Sequence, residues 1–347
     1  MFENVFYFKK INSIGGVETW LYYLSCLYKN FTVFYREGDA EQIKRLAQNV
    51  EVIKYTNNMG TIKCKKFFCS YGLDIPIEAE EKFHVIHCDY KKVTFKPFLY
   101  EGFKYFGVSK LVCNSFKELT GIEAELIYNP IAIKKPKIEK KKDKIYLISA
   151  TRLSQEKGGE RYNKLATLLT NAGLDYEWVI YSNRQLHRAN KNIQKKDTKL
   201  DLTKEIAEST YLVQLSDHEA FGLSVAEALT LGTPVIVTDI PAFKEIGCVH
   251  GKNAIICDLD MKKVDIDMIK NGLPEFEYTP PKSNWGKYLS EKGNYSPNER
   301  IIVRFNQRTW DVVDDVHYKY GDVSFITKAR VSELESKGLV ERLWSYL

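Results

Sequence analysis

The sequence of 347 residues lacks the long hydrophobic runs of a membrane protein. No apolar stretch reaches the roughly 18 residues that a membrane-spanning helix needs. The first residues, MFENVFYFKKIN, also lack the basic segment followed by a long apolar segment that is typical of a signal peptide. The seven cysteines show neither a Cys-x-x-Cys spacing nor any regular spacing, which favours a reducing compartment. We therefore expect a cytoplasmic globular protein.

Positive charge is in modest excess and is unevenly distributed. The chain is 44% hydrophobic and 28% charged, with a net charge of +6. Segment 133–144 holds seven lysines in twelve residues, and segments 63–66 and 90–96 are also basic. Such runs are typical of a solvated linker or surface. The alternative is attraction to an anionic partner: a nucleotide sugar, an acidic membrane surface or a nucleic acid.

Short β-rich segments alternate with helical segments in two successive parts of the chain. The first part begins with a strand at 4–8 and a helix at 17–30, and the second with a strand at 144–153 and a helix at 158–173. Because the strands are almost continuously apolar, we expect two parallel, doubly wound α/β domains of the Rossmann type. In such folds the ligand lies outside the carboxyl ends of the strands, here in a cleft between the domains.

The expected boundaries divide the chain into five segments. These are a first Rossmann-like domain (1–132), a basic hinge (133–144), a second Rossmann-like domain (145–271), a connecting arm (272–297) and a small α+β module (298–347). In the last segment we expect two strands joined by an Asp-Asp turn, then a helix that Thr327 caps and Gly338 ends.

A lone carboxylate in an apolar segment is the first candidate for chemistry. Glu227 is the only charged residue between Ala220 and Thr238. Burial of an unpaired carboxylate is costly, so Glu227 either reaches solvent or lines a cleft where a ligand supplies its hydrogen bonds. Glu219 precedes it by eight positions, in the loop after a strand, and carboxylates are good acceptors for pairs of sugar hydroxyls.

Basic and glycine residues occupy equivalent strand-to-helix junctions in the two halves. Arg152 and Lys157 follow the first strand of the second half and precede a helix, an arrangement that suits a phosphate or diphosphate. Gly15 and Gly16 hold the matching position in the first half, where they would let backbone N–H groups approach an anion. A surface cation near a helix start and a tight turn are the respective alternatives.

Taken together, these motifs resemble the retaining GT-B glycosyltransferases of family 4. The similarity covers roughly residues 4–292 and is most specific in the Glu-x7-Glu block around Phe-Gly-Leu and in the Arg-Lys pair. Further similar elements are Gly-Gly-Val-Glu near the start, VIHCD (85–89), GVSKLV, IYNPI, Gly-Thr-Pro-Val-Ile and Trp285 in a late crossing helix. The module after 297 lies outside the family, and its segment YKYGDVSFITKARVSELESKGLV is similar to small modules of phage proteins.

The resemblance implies a role for each matched residue. Arg152 and Lys157 would neutralise the departing diphosphate, Glu227 would bind the ribose and Glu219 the sugar hydroxyls. His87 would contact the donor sugar near the reacting centre. The remaining donor-binding residues would be Gly15, Gly16, Ser182, Asn183, Ala220, Phe221, Gly222 and Leu223. The first domain would hold the acceptor and the second a nucleotide-diphosphate sugar, most often a UDP-sugar, with no metal or other cofactor.

Some features depart from the family or allow other readings. The segment IYSNRQ stands where the family has a glycine-rich turn, which puts base recognition at Ser182 and Asn183 in doubt. His84 is a rival to His87, and zinc binding by this pair with Cys88 lacks further clustered ligands. Asp258 and Asp260, a spacing repeated at Asp265 and Asp267, would suit a metal-dependent Asp-x-Asp transferase. A non-catalytic carbohydrate- or partner-binding protein is the other alternative.

The acceptor is not specified by any motif. A surface or lipid-linked glycan is the commonest acceptor in the family, while the phage-like module raises protein or modified DNA. The basic runs would also allow peripheral contact with the anionic inner face of the membrane.

Overall fold

The computed structural model describes residues 1–138, 140–141, 143–185 and 190–292. In the C-terminal module it describes 300–305, 309–311, 316–318, 323–327, 331 and 334–344. Within these ranges, no helix is both long enough and apolar enough to span a bilayer.

The first domain is built on a seven-stranded parallel sheet in the order β3-β2-β1-β4-β5-β6-β7. Its strands are β1 (Phe2–Ile11), β2 (Thr32–Gly38), β3 (Glu51–Lys54), β4 (Ile62–Cys69), β5 (Ile77–Ile86), β6 (Lys104–Gly107) and β7 (Ala124–Leu126). Its helices are α1 (Gly16–Leu27), α2 (Ala40–Ala47) and α3 (Lys110–Thr120).

The second domain repeats the plan with a six-stranded parallel sheet in the order β10-β9-β8-β11-β12-β13. Its strands are β8 (Ile145–Ala150), β9 (Tyr176–Tyr181), β10 (Ile193–Lys196), β11 (Tyr211–Gln214), β12 (Val235–Thr238) and β13 (Ala254–Cys257). Its helices are α4 (Gly159–Asn171), α5 (Thr203–Glu208), α6 (Leu223–Thr230), α7 (Pro241–Glu245) and α8 (Ile266–Asn271). The predicted pair of doubly wound α/β domains is therefore confirmed.

Local sequence explains why the elements begin and end where they do. All four residues of β12, Val-Ile-Val-Thr, are buried, as expected for a strand covered on both faces. Ser109 caps α3 by accepting a hydrogen bond from the backbone N–H of Val112, and Gly121 ends the helix with a φ of 74°. Helix α2, which the sequence analysis did not predict, is short and polar, and the Asp39 side chain caps it.

The arm after the second domain returns to the first. Trp285 was expected in a crossing helix, but it lies in a three-residue 3-10 turn, Trp285–Lys287. Its indole is fully buried and packs against Phe6, Trp20, Phe68 and Phe106 of the first domain. The Pro-rich sequence before it disfavours a long helix, so the aromatic side chain anchors the arm instead.

The C-terminal module contains more strands than expected. Its strands are β14 (Arg300–Phe305), β15 (Thr309–Asp311), β16 (Val316–Tyr318), β17 (Val323–Thr327) and β18 (Val340–Trp344). β17, β14 and β18 form one antiparallel sheet, β15 and β16 a second, and β17 lies close to the edge strand β3 of the first domain. The predicted Asp-Asp turn lies outside the described residues, and the predicted helix is described only at 331 and 334–336.

Candidate active site

The two sheets face each other across a cleft of about 1050 Å³. In each sheet the strand order changes direction between the first and fourth strands, β1 and β4 in one and β8 and β11 in the other. The loops at such a point diverge and leave a crevice at the carboxyl ends of the strands. Residues that follow β1, β5, β8, β10 and β11 all line the cleft.

The second domain presents a positively charged junction after β8. Lys157 Nζ lies 2.6 Å from Glu219 Oε1, and each of these side chains is only 15% exposed. The Arg152 side chain is 64% exposed and has one loose ion pair, 3.5 Å from its Nη2 to Glu156 Oε1. Lys157 is therefore fixed at the cleft wall, while Arg152 can reorient toward a ligand.

Glu219 is held from several sides at the end of β11. Besides Lys157, the Ser216 hydroxyl donates to Glu219 Oε1 at 2.7 Å, and Gln214 Nε2 approaches the same oxygen at 3.4 Å. A carboxylate that accepts several hydrogen bonds in a fixed position is preorganised for polar contacts of its own. All three contacts use Oε1, so Oε2 is the oxygen that could accept hydrogen bonds from a ligand.

Helix α6 begins at the cleft after a tightly packed glycine. Gly222 precedes the helix with a φ of 93°, and a Cβ at this position would lie 2.9 Å from the ring of Phe243. Both facts require glycine. Ala220, Phe221 and Leu223 line the cleft with it, so the positive end of the α6 dipole faces the cavity.

Glu227 lies on the second turn of α6 and lines the same cleft. The residue is half-buried, and the hydroxyl of Tyr23 on α1 donates to Glu227 Oε1 at 2.7 Å. Burial raises the pKa of Glu227 to about 7, an effect that the Tyr23 hydrogen bond and the nearby Arg45 only partly offset. The lone carboxylate of the sequence thus faces the cleft rather than bulk solvent.

Gly15 and Gly16 stand at the start of α1, opposite α6. Both line the cleft, and Gly16 lies close enough that a Cβ there would be 3.8 Å from the Leu223 side chain. Gly15 has extended backbone, with a φ of 173°, so a left-handed turn is not its reason for being glycine. The Glu18 carboxylate lies close to Gly15, so a Cβ at this position would require the end of the Glu18 side chain to shift. Glu18 Oε1 accepts from the backbone and side chain of Asn12.

The two histidines at the end of β5 occupy different environments. His87 lines the cleft with its ring 4.4 Å from that of Trp20, and its buried Nε2 has no hydrogen-bond partner among the described residues. Burial, with a smaller contribution from His84, lowers the pKa of His87 to about 3, so the ring is neutral. His84 is fully buried beside Tyr100 and Tyr105 and does not line the cleft.

Asn183 lines the cleft, whereas Ser182 does not. The Ser182 side chain is fully buried and accepts a hydrogen bond from the backbone N–H of Arg184. A role of Ser182 in base recognition stays a prediction. Because its side chain is buried, only the backbone of Ser182 would take part in such a role.

The Asp-x-Asp pairs of the alternative reading do not line the cleft. Asp258 accepts from the backbone of Lys263, Asp260 pairs with Lys262, and Asp265 caps α8. Among the described residues, no group of three or more His, Cys, Asp or Glu side chains is arranged to hold a metal ion.

Several cleft residues were not found by sequence reasoning. Tyr23 and Arg45 reach the cleft from α1 and α2, and Lys199 reaches it from the segment after β10. Arg45 lies 3.5 Å above the ring of Tyr22, and its buried Nη1 has no partner among the described residues. The sequence carried no indication of these side chains, because α2 and β10 were not predicted and Tyr23 is an ordinary residue of an apolar helix.

Comparison with known proteins gives a match for part of the chain. Residues 131–282, which include the second domain, match the family model described as Glycosyl transferases group 1. No curated protein matches the sequence of the chain.

Solved structures share the GT-B fold at low sequence identity. HepE of Anabaena, in complex with UDP and glucose, is 13% identical with a TM-score of 0.60, over 78% of this chain and 89% of that one. A glycosyltransferase from Rickettsia africae is 12% identical with a TM-score of 0.56, over 78% of this chain and 88% of that one. WaaG, a glycosyltransferase involved in lipopolysaccharide biosynthesis, is 14% identical with a TM-score of 0.52, over 78% and 89%.

Proposed function

We propose that the protein is a glycosyltransferase that moves a sugar from a nucleotide-diphosphate sugar to an acceptor. One observation carries this proposal: Lys157, Arg152, the start of α6 and the two carboxylates Glu219 and Glu227 converge on a single cleft. Cations and a helix N-terminus suit a diphosphate, and the carboxylates suit sugar and ribose hydroxyls. The match of residues 131–282 to the glycosyl transferases group 1 model supports the same class of reaction.

The donor would extend along the second domain. Arg152 and Lys157 would bind the diphosphate, Glu219 the transferred sugar and Glu227 the ribose. The unpartnered Nε2 of His87 lies on the opposite wall, where a neutral imidazole can exchange a hydrogen bond with the sugar. The proposed donor is a UDP-sugar, since HepE structures contain UDP and UDP-glucose.

The chemistry would proceed with retention at the anomeric carbon and without a divalent metal. The bond from the sugar C1 to the diphosphate oxygen breaks with its electrons leaving on the diphosphate, and the acceptor oxygen bonds to C1 on the same face while its proton passes to the departing phosphate. Lys157, a reoriented Arg152 and the N-terminus of α6, which carries roughly half a positive charge, would stabilise the developing negative charge. Closure of the cleft would exclude water, so that transfer exceeds hydrolysis.

The acceptor would enter along the first domain and is proposed to be a surface or lipid-linked glycan, a protein or a modified DNA. Lys92 and Phe95, in the loop after β5, line the cleft, and Phe95 is 44% exposed. This basic and aromatic loop would also provide peripheral contact with an anionic membrane surface at the cytoplasmic face.

Slow hydrolysis of a panel of nucleotide sugars tests the proposal without knowledge of the acceptor. We expect one uridine-diphosphate sugar to be hydrolysed, with turnover unaffected by excess chelator and the released sugar keeping its anomeric configuration by NMR. Lys157→Ala should lower turnover by about 100-fold, as for loss of a transition-state donor. The control is Lys164→Ala, an exposed lysine of α4.

Two outcomes would contradict parts of the proposal. Activity that disappears with chelator and returns with manganese would favour a metal-dependent mechanism. Binding of a nucleotide sugar without turnover of any donor, with or without candidate acceptors, would favour a non-catalytic binding protein.

A further inference from the structure

A side-chain hydrogen bond between Tyr23 and Glu227 connects the two domains inside the cleft. Tyr23 lies on α1 of the first domain and is only 4% exposed. Its hydroxyl donates to Glu227 Oε1 of the second domain at 2.7 Å, between residues 204 positions apart in sequence. The contact exists only when α1 and α6 approach each other across the cleft.

The surroundings of Glu227 leave its orientation dependent on this contact. Its neighbours on α6, Ala226 and Ala228, are buried and apolar. Among the described residues, Glu227 forms no ion pair, and Tyr23 is its only side-chain hydrogen-bond donor. The charged groups that influence it from other elements are Arg45 on α2 and Asp201 before α5.

We propose that Tyr23 is a positioning residue that couples closure of the cleft to nucleotide binding by fixing the Glu227 carboxylate. This inference rests on the proposed role of Glu227 at the ribose. With Oε1 held by Tyr23, Oε2 accepts the hydrogen bond from a ribose hydroxyl, so Tyr23 contributes to the nucleotide site without touching the nucleotide.

The same hydrogen bond gives Tyr23 a measurable effect on ionisation. Burial and the adjacent Glu227 raise the pKa of Tyr23 far above its usual value, so the hydroxyl remains a donor. Its hydrogen bond, like the charge of Arg45, lowers the pKa of Glu227, while burial and Asp201 raise it. Removal of the Tyr23 hydroxyl therefore raises the pKa of Glu227 above about 7, and less of the carboxylate is ionised at neutral pH.

Calorimetric titration of Tyr23→Phe with UDP between pH 6 and pH 9 tests this inference. We expect binding about tenfold weaker than that of the unsubstituted protein at pH 7, the size expected for loss of a hydrogen bond to a charged group. The deficit should narrow to about threefold at pH 9, where Glu227 is ionised in both proteins. In donor hydrolysis, KM should rise more than kcat falls. The control is Tyr55→Phe, which removes a hydroxyl that donates to the Gly60 carbonyl in the first domain, outside the cleft.

The outcomes separate this inference from the proposed function. An affinity loss that is equal at every pH would indicate a merely structural role for Tyr23 and overturn the inference. Tighter binding would show that the hydroxyl competes with the ribose, and unchanged binding would show that it does not act on Glu227; either overturns it. Glu227→Gln is measured in parallel. If Glu227→Gln leaves UDP affinity unchanged, the ribose assignment itself fails. If Glu227→Gln weakens UDP binding but Tyr23→Phe does not, only the role of Tyr23 is refuted.

Discussion

Replacement of Glu227 by glutamine should stabilise the fold, and only at neutral and alkaline pH. In the folded protein burial raises the pKa of this carboxyl from 4.5 to about 7. The folded state therefore binds the proton more tightly than the unfolded state does. Glutamine resembles the protonated carboxyl in shape and can still accept the hydrogen bond from Tyr23, but it carries no charge to desolvate.

The size of the effect follows from the interval between the two pKa values. Below pH 4.5 the carboxyl is protonated in both states and costs nothing. As the pH rises through the interval, the unfolded state releases its proton first, so stability falls by about 1.4 kcal/mol per pH unit until the folded pKa is reached. The upper bound is about 3 kcal/mol above pH 7. Partial exposure to the cleft water reduces this to about 1–3 kcal/mol.

Guanidinium unfolding of both proteins at pH 5 and pH 8 measures the difference. We expect a small difference at pH 5 and a variant more stable by about 1–3 kcal/mol at pH 8, which for a chain of this length corresponds to a melting temperature higher by about 1–4 °C. The control is Glu160→Gln, at an exposed glutamate of α4, for which no such pH-dependent gain is expected. A Glu227→Gln variant that is less stable at pH 8, or equally shifted at both pH values, would refute the reasoning.

Three further predictions concern the contacts between segments. Trp285→Ala should destabilise the first domain by about 3–5 kcal/mol, because removal of the buried indole leaves a cavity among aromatic rings. Denaturant unfolding measures the free energy of unfolding, and a decrease below about 1 kcal/mol would contradict the anchoring role. Glu245→Ala should destabilise the protein by about 2 kcal/mol, because its carboxylate accepts from the Lys110 backbone N–H at 2.6 Å and from the Tyr128 hydroxyl at 3.1 Å. A lower melting temperature is expected, and an unchanged melting temperature would refute this prediction. Truncation after about residue 297 should leave the two Rossmann-like domains folded and UDP affinity unchanged, whereas insoluble protein would show that the module is needed to cover β3.

The sequence was most informative where the local pattern and the fold depend on the same residues. The apolar strand β12 and the glycine before α6 could be placed because strand burial and helix starts are encoded within a few positions. The parallel strand arrangement brings Lys157 and Glu219 to one edge of the sheet, while the roles that the resemblance implies for them stay predictions.

Contacts between distant segments could not be predicted in this way. Nothing near Tyr23 indicates that its hydroxyl meets Glu227, because that contact depends on how two domains approach each other. Likewise, a tryptophan in a polar, Pro-rich arm gives no indication that it is buried in the first domain. Helix α2 was missed because it has only eight residues, although Ile43, Leu46 and Ala47 lie on one buried face. Strand β10 was missed because its sequence, Ile-Gln-Lys-Lys, is short and polar.

The return of the arm to the first domain has a mechanical consequence. The chain passes between the domains twice, once through the segment before β8 and again through the segment that ends at Trp285. A body held by one tether can swivel in any direction, but one held at two separated points rotates easily only about the line that joins them. The cleft should therefore widen and narrow along a single coordinate, so that one pair of probes, one on each wall, would follow the whole motion.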